Sequence, residues 1–363
     1  MWDIAVIGAG LAGLTCARQL RRSGHQVCVL DKSKGLGGRI ATRRVTGLVR
    51  IDHGLRYWPA EASDALLAPL TRELIEAGVI KQWAANAYEL RSNDELVAVQ
   101  QDPVYVASSG MSAIAKYLAQ GFIPDETLLN SYRAVKMAPC GLESDPGWKI
   151  TCEDDKVVMA RKCVLAIPAL QAVALLSEST DTANSIDSEA LVPLQAVQYN
   201  PRITILAGYG DLKLTENTFG KLRPDGCSDG SSEGWMVTDT IGTSTEWIGL
   251  DSSKRSRSDV EPTLVIHSKT DFAHRYIDAG DLQPAASVLL RASARKYGEW
   301  IAQPSWFQIH RWRYAYVSEA YEASYCQVSP SLLCGGDWCV NQTVKHPVTA
   351  AYLSGLAMAK AVA

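Results

Sequence analysis

The sequence lacks a large excess of charge and a long apolar run, and each absence excludes a class of protein. Lysine and arginine total 36 against 39 acidic residues, and the net charge of −3 argues against general affinity for nucleic acid or anionic membranes. The apolar run 163–176 is too short to span a bilayer and contains Pro168. The apolar segment 1–17 carries Asp3 and lacks the basic start of a signal peptide. We therefore expect a cytoplasmic protein without nucleic-acid or membrane partners.

The sequence also lacks a metal or disulfide framework. Its nine cysteines are an odd number without tight spacing, which favours free thiols in a reducing compartment. Cys334 and Cys339 are the closest pair, but no second pair or histidine cluster completes a metal site. We expect no metal. We interpret Cys326, Cys334 and Cys339 as small buried residues rather than points of covalent flavin attachment.

What the sequence does contain is a β-α-β pattern at its start. Residues 4–7 form an apolar run, residues 11–22 have helical spacing, and residues 26–30 form a second apolar run. A right-handed crossover makes such strands parallel neighbours. Residues 203–207, 247–250 and 264–267 are predicted strands of a separate sheet. A chain of 363 residues has room for both.

A glycine motif lies where this pattern turns from strand to helix. Gly8, Gly10 and Gly13 have the G-x-G-x-x-G spacing, in which the second glycine lets backbone approach a pyrophosphate. The helix N-terminus offers unpaired N–H groups to that anion. Asp31, at the end of the next strand, can accept hydrogen bonds from ribose hydroxyls and would repel a 2′-phosphate. An unphosphorylated adenosine ribose, as in NAD or FAD, is indicated.

Two further motifs favour non-covalent FAD over NAD. Gly37-Gly38-Arg39 follows Asp31 closely, and Arg39 is predicted to make a forked contact with the pyrophosphate. Near the C-terminus, Gly335-Gly336-Asp337 follows an apolar run and precedes a helix. Asp337 would bind the ribityl hydroxyls of a flavin, and that helix N-terminus would steady charge on the reduced ring. The predicted cofactor-binding residues are Gly8, Gly10, Leu11, Ala12, Gly13, Asp31, Lys32, Gly38, Arg39, Gly54, Arg56, Tyr57, Gly336, Asp337, Val348 and Thr349.

Several stretches extend these motifs along the chain. They are Ala41-Thr42-Arg43-Arg44, Asp52-His53-Gly54, Gly110-Met111-Ser112-Ala113-Ile114, Val164-Leu165-Ala166-Ile167-Pro168, Leu250-Asp251-Ser252-Ser253-Lys254-Arg255, Leu264-Val265-Ile266-His267 and Trp312-Arg313-Tyr314. With them, nearly the whole chain resembles the renalase family of flavoproteins. The glycine motifs are shared by many flavin oxidoreductases, whereas the middle stretches and Trp312-Arg313 are more specific.

The resemblance implies an α/β fold of the p-hydroxybenzoate hydroxylase and amine oxidase type, with a Rossmann-like FAD domain and a mixed-sheet substrate domain. We expect residues 1–58, 100–190 and 326–363 in the FAD domain, and residues 59–99 and 191–325 in the substrate domain. The implied substrates are isomers of ordinary NAD(P)H, either misreduced or α-anomeric. The implied activity is their oxidation by hydride transfer to flavin N5, which gives NAD(P)+ and, with oxygen, hydrogen peroxide.

One departure from that family concerns the segment expected beside the flavin ring. After Asp52-His53-Gly54 the family usually has Ala-Gln-Tyr, and here the sequence is Leu55-Arg56-Tyr57. A cation at Arg56 would stabilise anionic reduced flavin or attract a phosphorylated substrate, and it could also narrow the pocket.

Hydride transfer from a dihydropyridine asks for positioning rather than acid-base groups. The predicted catalytic residues are therefore Tyr57, as a wall over the ring together with Trp58, then His53 near the ring edge, and Trp312 and Arg313 on the substrate side. Each has a structural alternative, since aromatic residues and histidine also fill cores, and Arg311 and Arg313 would share a solvent-facing side of one strand.

Two alternatives concern function more widely. The charged segment 251–262, with Lys254, Arg255 and Arg257, is interpreted as a solvated loop, or else as a contact for a phosphate-bearing substrate. The chain could also be an amine oxidase or desaturase, with Tyr57, Trp312 and Tyr314 forming an aromatic cage. A non-catalytic flavin-binding or redox-sensing protein is the third reading.

Overall fold

The protein is described here from a computed structural model, which covers residues 1–45, 49–59, 65–92, 95–100, 102–142, 145–177, 188–210, 212, 234–255, 261–340, 344 and 346–363. Its strands in chain order are β1 (Trp2–Ile7), β2 (Val27–Asp31), β3 (Thr42–Arg44), β4 (Arg50–Asp52), β5 (Lys81–Gln82), β6 (Ala85–Leu90), β7 (Leu96–Ala98), β8 (Tyr105–Val106), β9 (Leu128–Asn130), β10 (Ala134–Leu142), β11 (Asp145–Cys152), β12 (Val157–Leu165), β13 (Gln198–Gly208), β14 (Gly234–Asp239), β15 (Thr245–Leu250), β16 (Thr263–Ser268), β17 (Trp306–Glu319), β18 (Cys326–Ser329) and β19 (Leu332–Cys334).

The helices include α1 (Leu11–Arg22), α2 (Ala68–Glu76), α3 (Ser112–Leu118), α4 (Ala169–Ser177), α5 (Ser188–Gln195), α6 (Thr270–Tyr276), α7 (Gln283–Tyr297) and α8 (Pro347–Val362). Two short 3-10 turns, Gly38–Ile40 and Asp251–Lys254, matter for the site. None of the helices in the described ranges is long and apolar enough to cross a membrane.

The first sheet is built from both ends of the chain. Its main path runs β10-β11-β12-β1-β2-β9, and β19 extends it from β12 with β18 beside it. Strand β1 pairs in parallel with β12 and β2, as the β-α-β pattern predicts. Helix α8 packs closely on α1, since a Cβ added to Gly355 would lie 2.5 Å from the Ala12 carbonyl oxygen. The C-terminal helix thereby completes the layer over the N-terminal strands.

The second sheet is mixed and comes from the middle of the chain. Its order is β17-β13-β16-β15-β14-β6-β7, antiparallel except for the β14–β6 pair. The predicted strands near 203, 247 and 264 all lie in this sheet as β13, β15 and β16. Its apolar face packs on α6 and α7 through Phe272 and Leu289, both buried. The exact division of the chain between two domains stays a prediction.

Candidate cofactor and substrate site

A large cavity of about 1860 Å³ lies at the carboxyl ends of β1 and β2. Typical ligand pockets hold roughly 300–1,000 Å³. This cavity therefore has room for a dinucleotide and a second small molecule. Both sheets line it, the first through the glycine motif and the second through β13, β16 and β17.

The glycine motif divides between packing and ligand-facing positions. Gly8 has φ +110°, and a Cβ there would lie 2.4 Å from the Ala166 carbonyl oxygen. A Cβ on Gly13 would lie 1.9 Å from the Gly8 oxygen, so this residue lets α1 approach β1. Gly10, in contrast, lines the cavity, and a Cβ there would meet no protein atom within 4 Å. The space beside Gly10 at the start of α1 is where a pyrophosphate fits.

Asp31 ends β2 at the same edge of the cavity. Its Oδ2 accepts a hydrogen bond from the Ala9 N–H at 2.7 Å, and its Oδ1 accepts one from the Ser33 N–H at 2.7 Å. These bonds fix the carboxylate, and each oxygen keeps lone pairs for a ribose hydroxyl. Leu11, Ala12 and Lys32 also line the cavity, whereas Gly13 does not.

The predicted roles of Arg39 and Asp337 are changed by the structure. Their side chains bind each other in a fork, Nη1 to Oδ2 at 2.5 Å and Nη2 to Oδ1 at 2.6 Å. Burial disfavours the Arg39 charge, but the Asp337 carboxylate outweighs this and raises the pKa of Arg39. The prediction that Arg39 turns its fork to the pyrophosphate is therefore wrong for this arrangement. The ion pair instead joins the first glycine region to Gly336 and Asp337 along the cavity wall.

The start of α8 also differs from expectation. The Val348 N–H donates to His346 Nδ1 at 3.2 Å, because His346 caps the helix through its side chain. Val348 lines the cavity, but Thr349 is fully buried and does not. The Val348 N–H is therefore already bonded within the helix cap, and Val348 contributes its side chain to the cavity wall.

An aromatic wall forms where the first and second sheets meet. The His53 ring lies 5.1 Å from Trp312 and 4.7 Å from His310, and the Trp312 Nε1–H donates to the His53 carbonyl oxygen at 2.9 Å. A Cβ on Gly54 would lie 2.1 Å from the Arg39 oxygen, so the segment runs against the second glycine region. Burial holds the pKa of both histidines at about 4, so they are neutral near pH 7.

The other predicted aromatic and basic residues separate into two groups. Tyr57 and Tyr314 line the cavity. Trp58 is a core residue whose Nε1–H donates to the Thr71 hydroxyl, so the expectation that it covers the ring is wrong. Arg313 lies at the rim, half-exposed, and pairs with Asp278 at 2.8 Å. The alternative of a solvent-facing strand side thus describes Arg313 better than a contact at the ring.

The basic segment after β15 is not a solvated loop where it is described. Lys254 and Arg255 are buried against Asp251 and Asp52, and we call these four residues the balanced cluster. The Lys254–Asp251 distance is 2.8 Å, and Arg255 Nη2 reaches Asp251 at 2.5 Å and Asp52 at 3.0 Å. Both earlier interpretations are wrong for these two residues, and Arg257 lies outside the described residues.

A second polar group lies at the cavity wall, and sequence reasoning gave a role there to Arg56 alone. Glu246 bridges Arg56 and Arg202, and both arginines contact His267. We call Arg56, Arg202, Glu246 and His267 the arginine cluster. Arg56 follows the His53-Gly54 turn, whereas the others lie on β13, β15 and β16. The sequence signals for it were the departure at Arg56 and the stretch that ends at His267.

The residues present fit FAD. Gly10 leaves an open cradle at a helix N-terminus, Asp31 suits a ribose, and the cavity continues past Gly336 to the aromatic wall. The buried cysteines 326, 334 and 339 lie in strand packing rather than in the cavity lining. Non-covalent binding is consistent with that placement.

Comparisons with known proteins point the same way. The NAD(P)-binding Rossmann-like domain family matches residues 6–73. A flavin-containing monooxygenase of the GS-OX-like type from Arabidopsis thaliana is 30% identical over 168 residues, 43% of this chain and 33% of that protein. A Mycobacterium tuberculosis protein named as a flavin-containing monoamine oxidase is 36% identical over 96 residues, 24% of this chain and 21% of that protein. The chain thus spans a third or less of these two relatives.

The fold itself has a solved counterpart across its whole length. A putrescine oxidase structure superposes with a TM-score of 0.73 at 12% identity, covering 99% of this chain and 98% of that one. This confirms the predicted class, a two-domain α/β flavoprotein fold with a Rossmann-like domain and a mixed sheet. The printed names of both relatives describe flavin-containing proteins.

Proposed function

We propose that this protein is an FAD-dependent oxidoreductase that oxidises dihydronicotinamide nucleotides of isomeric form. The observation that carries the proposal is the charge of the cavity. Twelve lysine and arginine side chains line it among the described residues, against the lining carboxylates of Asp31 and Asp337. Glu246, Glu153 and Asp278 pair with four of these arginines from outside the lining, and an excess of positive charge remains. The pyrophosphate of one FAD neutralises only part of this excess. A second phosphorylated ligand is what such a field attracts.

The same charge disfavours a protonated amine. Arg56 and Arg202 lie in the cavity wall, and Glu246, their carboxylate partner, is already bridged to both. An ammonium group near them would be repelled, and burial weakens the screening of that repulsion. Amine oxidation remains the second candidate, because the fold matches a putrescine oxidase and Tyr57, Trp312 and Tyr314 line the cavity.

The chain's own residues would position the substrate rather than exchange protons with it. Tyr57 and Trp312 offer ring faces against which a pyridine ring can stack. The pKa of about 4 makes His53 and His310 weak bases, so they are poorly suited to take a proton from a reacting group at pH 7. When bound, FAD supplies a hydride acceptor at N5, and oxygen takes the electrons as hydrogen peroxide. Hydride transfer from a dihydropyridine needs close approach and no base.

The test uses the purified protein with FAD bound, mixed without oxygen. Isomeric dihydronicotinamide nucleotides, ordinary NADH, putrescine and benzylamine are added separately while flavin absorbance is followed. We expect bleaching by the isomers alone, and recovery with peroxide formation when air is admitted. Bleaching by an amine alone would establish the second candidate. If none reduces the flavin while FAD is retained, the proposed substrate is wrong. The cytoplasmic location stays a prediction.

A further inference from the structure

We propose that the arginine cluster is an oxyanion subsite, which binds a carboxylate or phosphate group of the substrate inside the cavity. This rests on the proposed function, in that an anionic substrate shares the cavity with FAD, and it names where that substrate's charge is held. Arg56, Arg202 and His267 all line the cavity, and so does the neighbouring Tyr316.

The cluster is held in place before any ligand arrives. Glu246 Oε1 accepts from Arg56 Nη2 at 2.5 Å, and its Oε2 accepts from Arg202 Nη2. The Arg56 guanidinium lies 5.3 Å from the centre of the Trp247 ring, and the Arg202 guanidinium lies 4.1 Å from the Tyr316 ring. Ring stacking and a shared carboxylate fix both planes, so little side-chain entropy remains to be lost on binding.

The cluster has more positive charge than its own partner removes. Two guanidinium groups share one carboxylate, which leaves a formal excess of one positive charge. His267 adds none, because burial and the neighbouring Arg202 and Arg56 hold its pKa well below the usual range. A buried excess of this kind is costly until an anion compensates it.

Hydrogen-bond donors are also left over. Arg56 Nε and Arg202 Nη1 each lie 3.3 Å from His267 Nδ1, and guanidinium groups only donate, so Nδ1 accepts and the ring proton sits on Nε2. That Nε2–H and the Arg202 Nε–H are buried and have no partner among the described residues. The Tyr316 hydroxyl accepts from Arg202 and still has its own proton to donate.

These leftover groups share one chemical need. The two guanidinium groups and the Tyr316 hydroxyl are donors in residues that line the cavity, and the surrounding charge is positive, so the matching ligand group is an oxygen acceptor with negative charge. The His267 Nε2–H and the Arg202 Nε–H have almost no exposed surface, so they lie behind this lining. A carboxylate on the pyridine ring and a phosphate on its ribose both meet that description. An amine or a neutral apolar group does not.

The experiment measures binding to the oxidised, FAD-loaded protein by the shift of the flavin absorption bands. Ligands come in pairs that differ only in the anion: nicotinate with nicotinamide, and nicotinamide mononucleotide with nicotinamide riboside. We expect the anionic member of one pair to bind about tenfold or more tightly. The nicotinate pair would identify a carboxylate, and the mononucleotide pair a phosphate.

Variants distinguish direct binding at the arginine cluster from long-range attraction by the positive charge of the cavity. Arg56→Gln should reduce the anionic preference by roughly tenfold to a hundredfold, and Arg56→Lys should restore part of it. Tyr316→Phe removes one donor without altering the net charge, and it should weaken binding of the anionic ligand a few-fold. This variant tests the subsite even if Arg56→Gln fails to fold. The matched control is Arg161→Gln, which changes the net charge equally at a half-exposed side chain that pairs with Asp3.

Absence of preference in both pairs would overturn the proposal. An equal loss in Arg161→Gln and Arg56→Gln would do so too, because long-range charge would then account for the effect. The measurement needs no turnover. An anionic preference without flavin reduction by dihydronicotinamides would therefore refute the proposed function alone, and reduction without a preference would refute the subsite alone.

Discussion

Two groups of buried charges join β4 and the segment after it to the second sheet, and they differ in whether their positive and negative charges cancel. The balanced cluster has two carboxylates and two cations, and Asp52 also accepts from the Thr42 hydroxyl and the Met111 N–H. The arginine cluster has two cations, one carboxylate and unpaired donors. Both lie within a few residues of His53 in the sequence, at Asp52 and Arg56.

The difference separates a structural joint from a site prepared for a ligand. In a buried group whose charges cancel and whose hydrogen bonds are complete, every partner is needed, and removing one leaves an uncompensated charge. A group with a surplus is stable only because the rest of the fold offsets its cost, and a ligand can complete it. We therefore expect variants of the first cluster to affect unfolding, and variants of the second to affect binding.

The largest expected effect is on the balanced cluster. Asp251→Asn would leave Lys254 and Arg255 with the Asp52 carboxylate alone, and we expect a loss of about 3–5 kcal/mol in the free energy of unfolding. Urea unfolding followed by tryptophan fluorescence measures it. Asp278→Asn is the control, since it breaks an exposed pair and should cost about 0–1 kcal/mol. Equal losses in both variants would contradict the structural role of the cluster.

Two glycines of the motif differ in a similar way, because Gly13 packs against protein atoms and Gly10 faces open space. Gly13→Ala would place a methyl group 1.9 Å from the Gly8 oxygen, and we expect about 1–3 kcal/mol lower stability from overpacking. Gly10→Ala meets no protein atom within 4 Å, so the stability of the FAD-free protein should change by no more than about 0.5 kcal/mol.

The affinity for FAD should be reduced by Gly10→Ala, although this variant has little effect on stability. The added methyl of Gly10→Ala occupies the space where backbone approaches a pyrophosphate, so FAD should dissociate about tenfold more readily, or about 1.4 kcal/mol. Fluorescence titration of FAD measures this constant. Normal FAD affinity in Gly10→Ala would remove the pyrophosphate from this position in the cavity.

The two clusters also show what could be predicted from sequence. The glycine motif and α1 are local patterns, so spacing alone located them. The arginine cluster depends on three strands, where Thr204 and Trp247 both lie opposite His267 in the register. Short patterns do not fix such a register. Asp52 and Asp251 are 199 residues apart in the sequence. The partners of Lys254 and Arg255 are therefore not visible from the neighbouring sequence, and the charged segment is interpreted as a solvated loop.

The free energy of unfolding should decrease as the pH falls from about 6.5 to about 4. Burial lowers the pKa of His53 and His310 to about 4, against about 6.5 in the unfolded chain. The unfolded state therefore binds more protons between these values. The stabilisation is complete above pH 6.5 and is lost as pH falls towards 4, by at most about 1.4 kcal/mol per pH unit for each histidine.

Urea unfolding at several pH values with excess FAD tests that window. His310→Gln should make the loss between pH 6.5 and 4 shallower, while His274→Gln, at an exposed position, should leave the slope unchanged. The Asp52 carboxylate should contribute mainly at lower pH, because Arg255 and Lys254 outweigh burial and lower its pKa in the folded protein, while its pKa in the unfolded chain is about 3.9. A slope that is unaffected by His310→Gln would mean that other groups titrate on unfolding.

The smallest effect is expected for Arg313, which the sequence analysis predicted on the substrate side. Arg313 is half-exposed and pairs with the still more exposed Asp278, so Arg313→Ala should change stability by about 0–1 kcal/mol and leave bound flavin intact. Turnover with dihydronicotinamides should fall by less than about fivefold, which corresponds to about 1 kcal/mol. Turnover should fall further in Arg56→Gln, because Arg56 belongs to the arginine cluster and lines the cavity. If Arg313→Ala instead loses more activity than Arg56→Gln, the ligand's charge lies at the rim rather than in the arginine cluster.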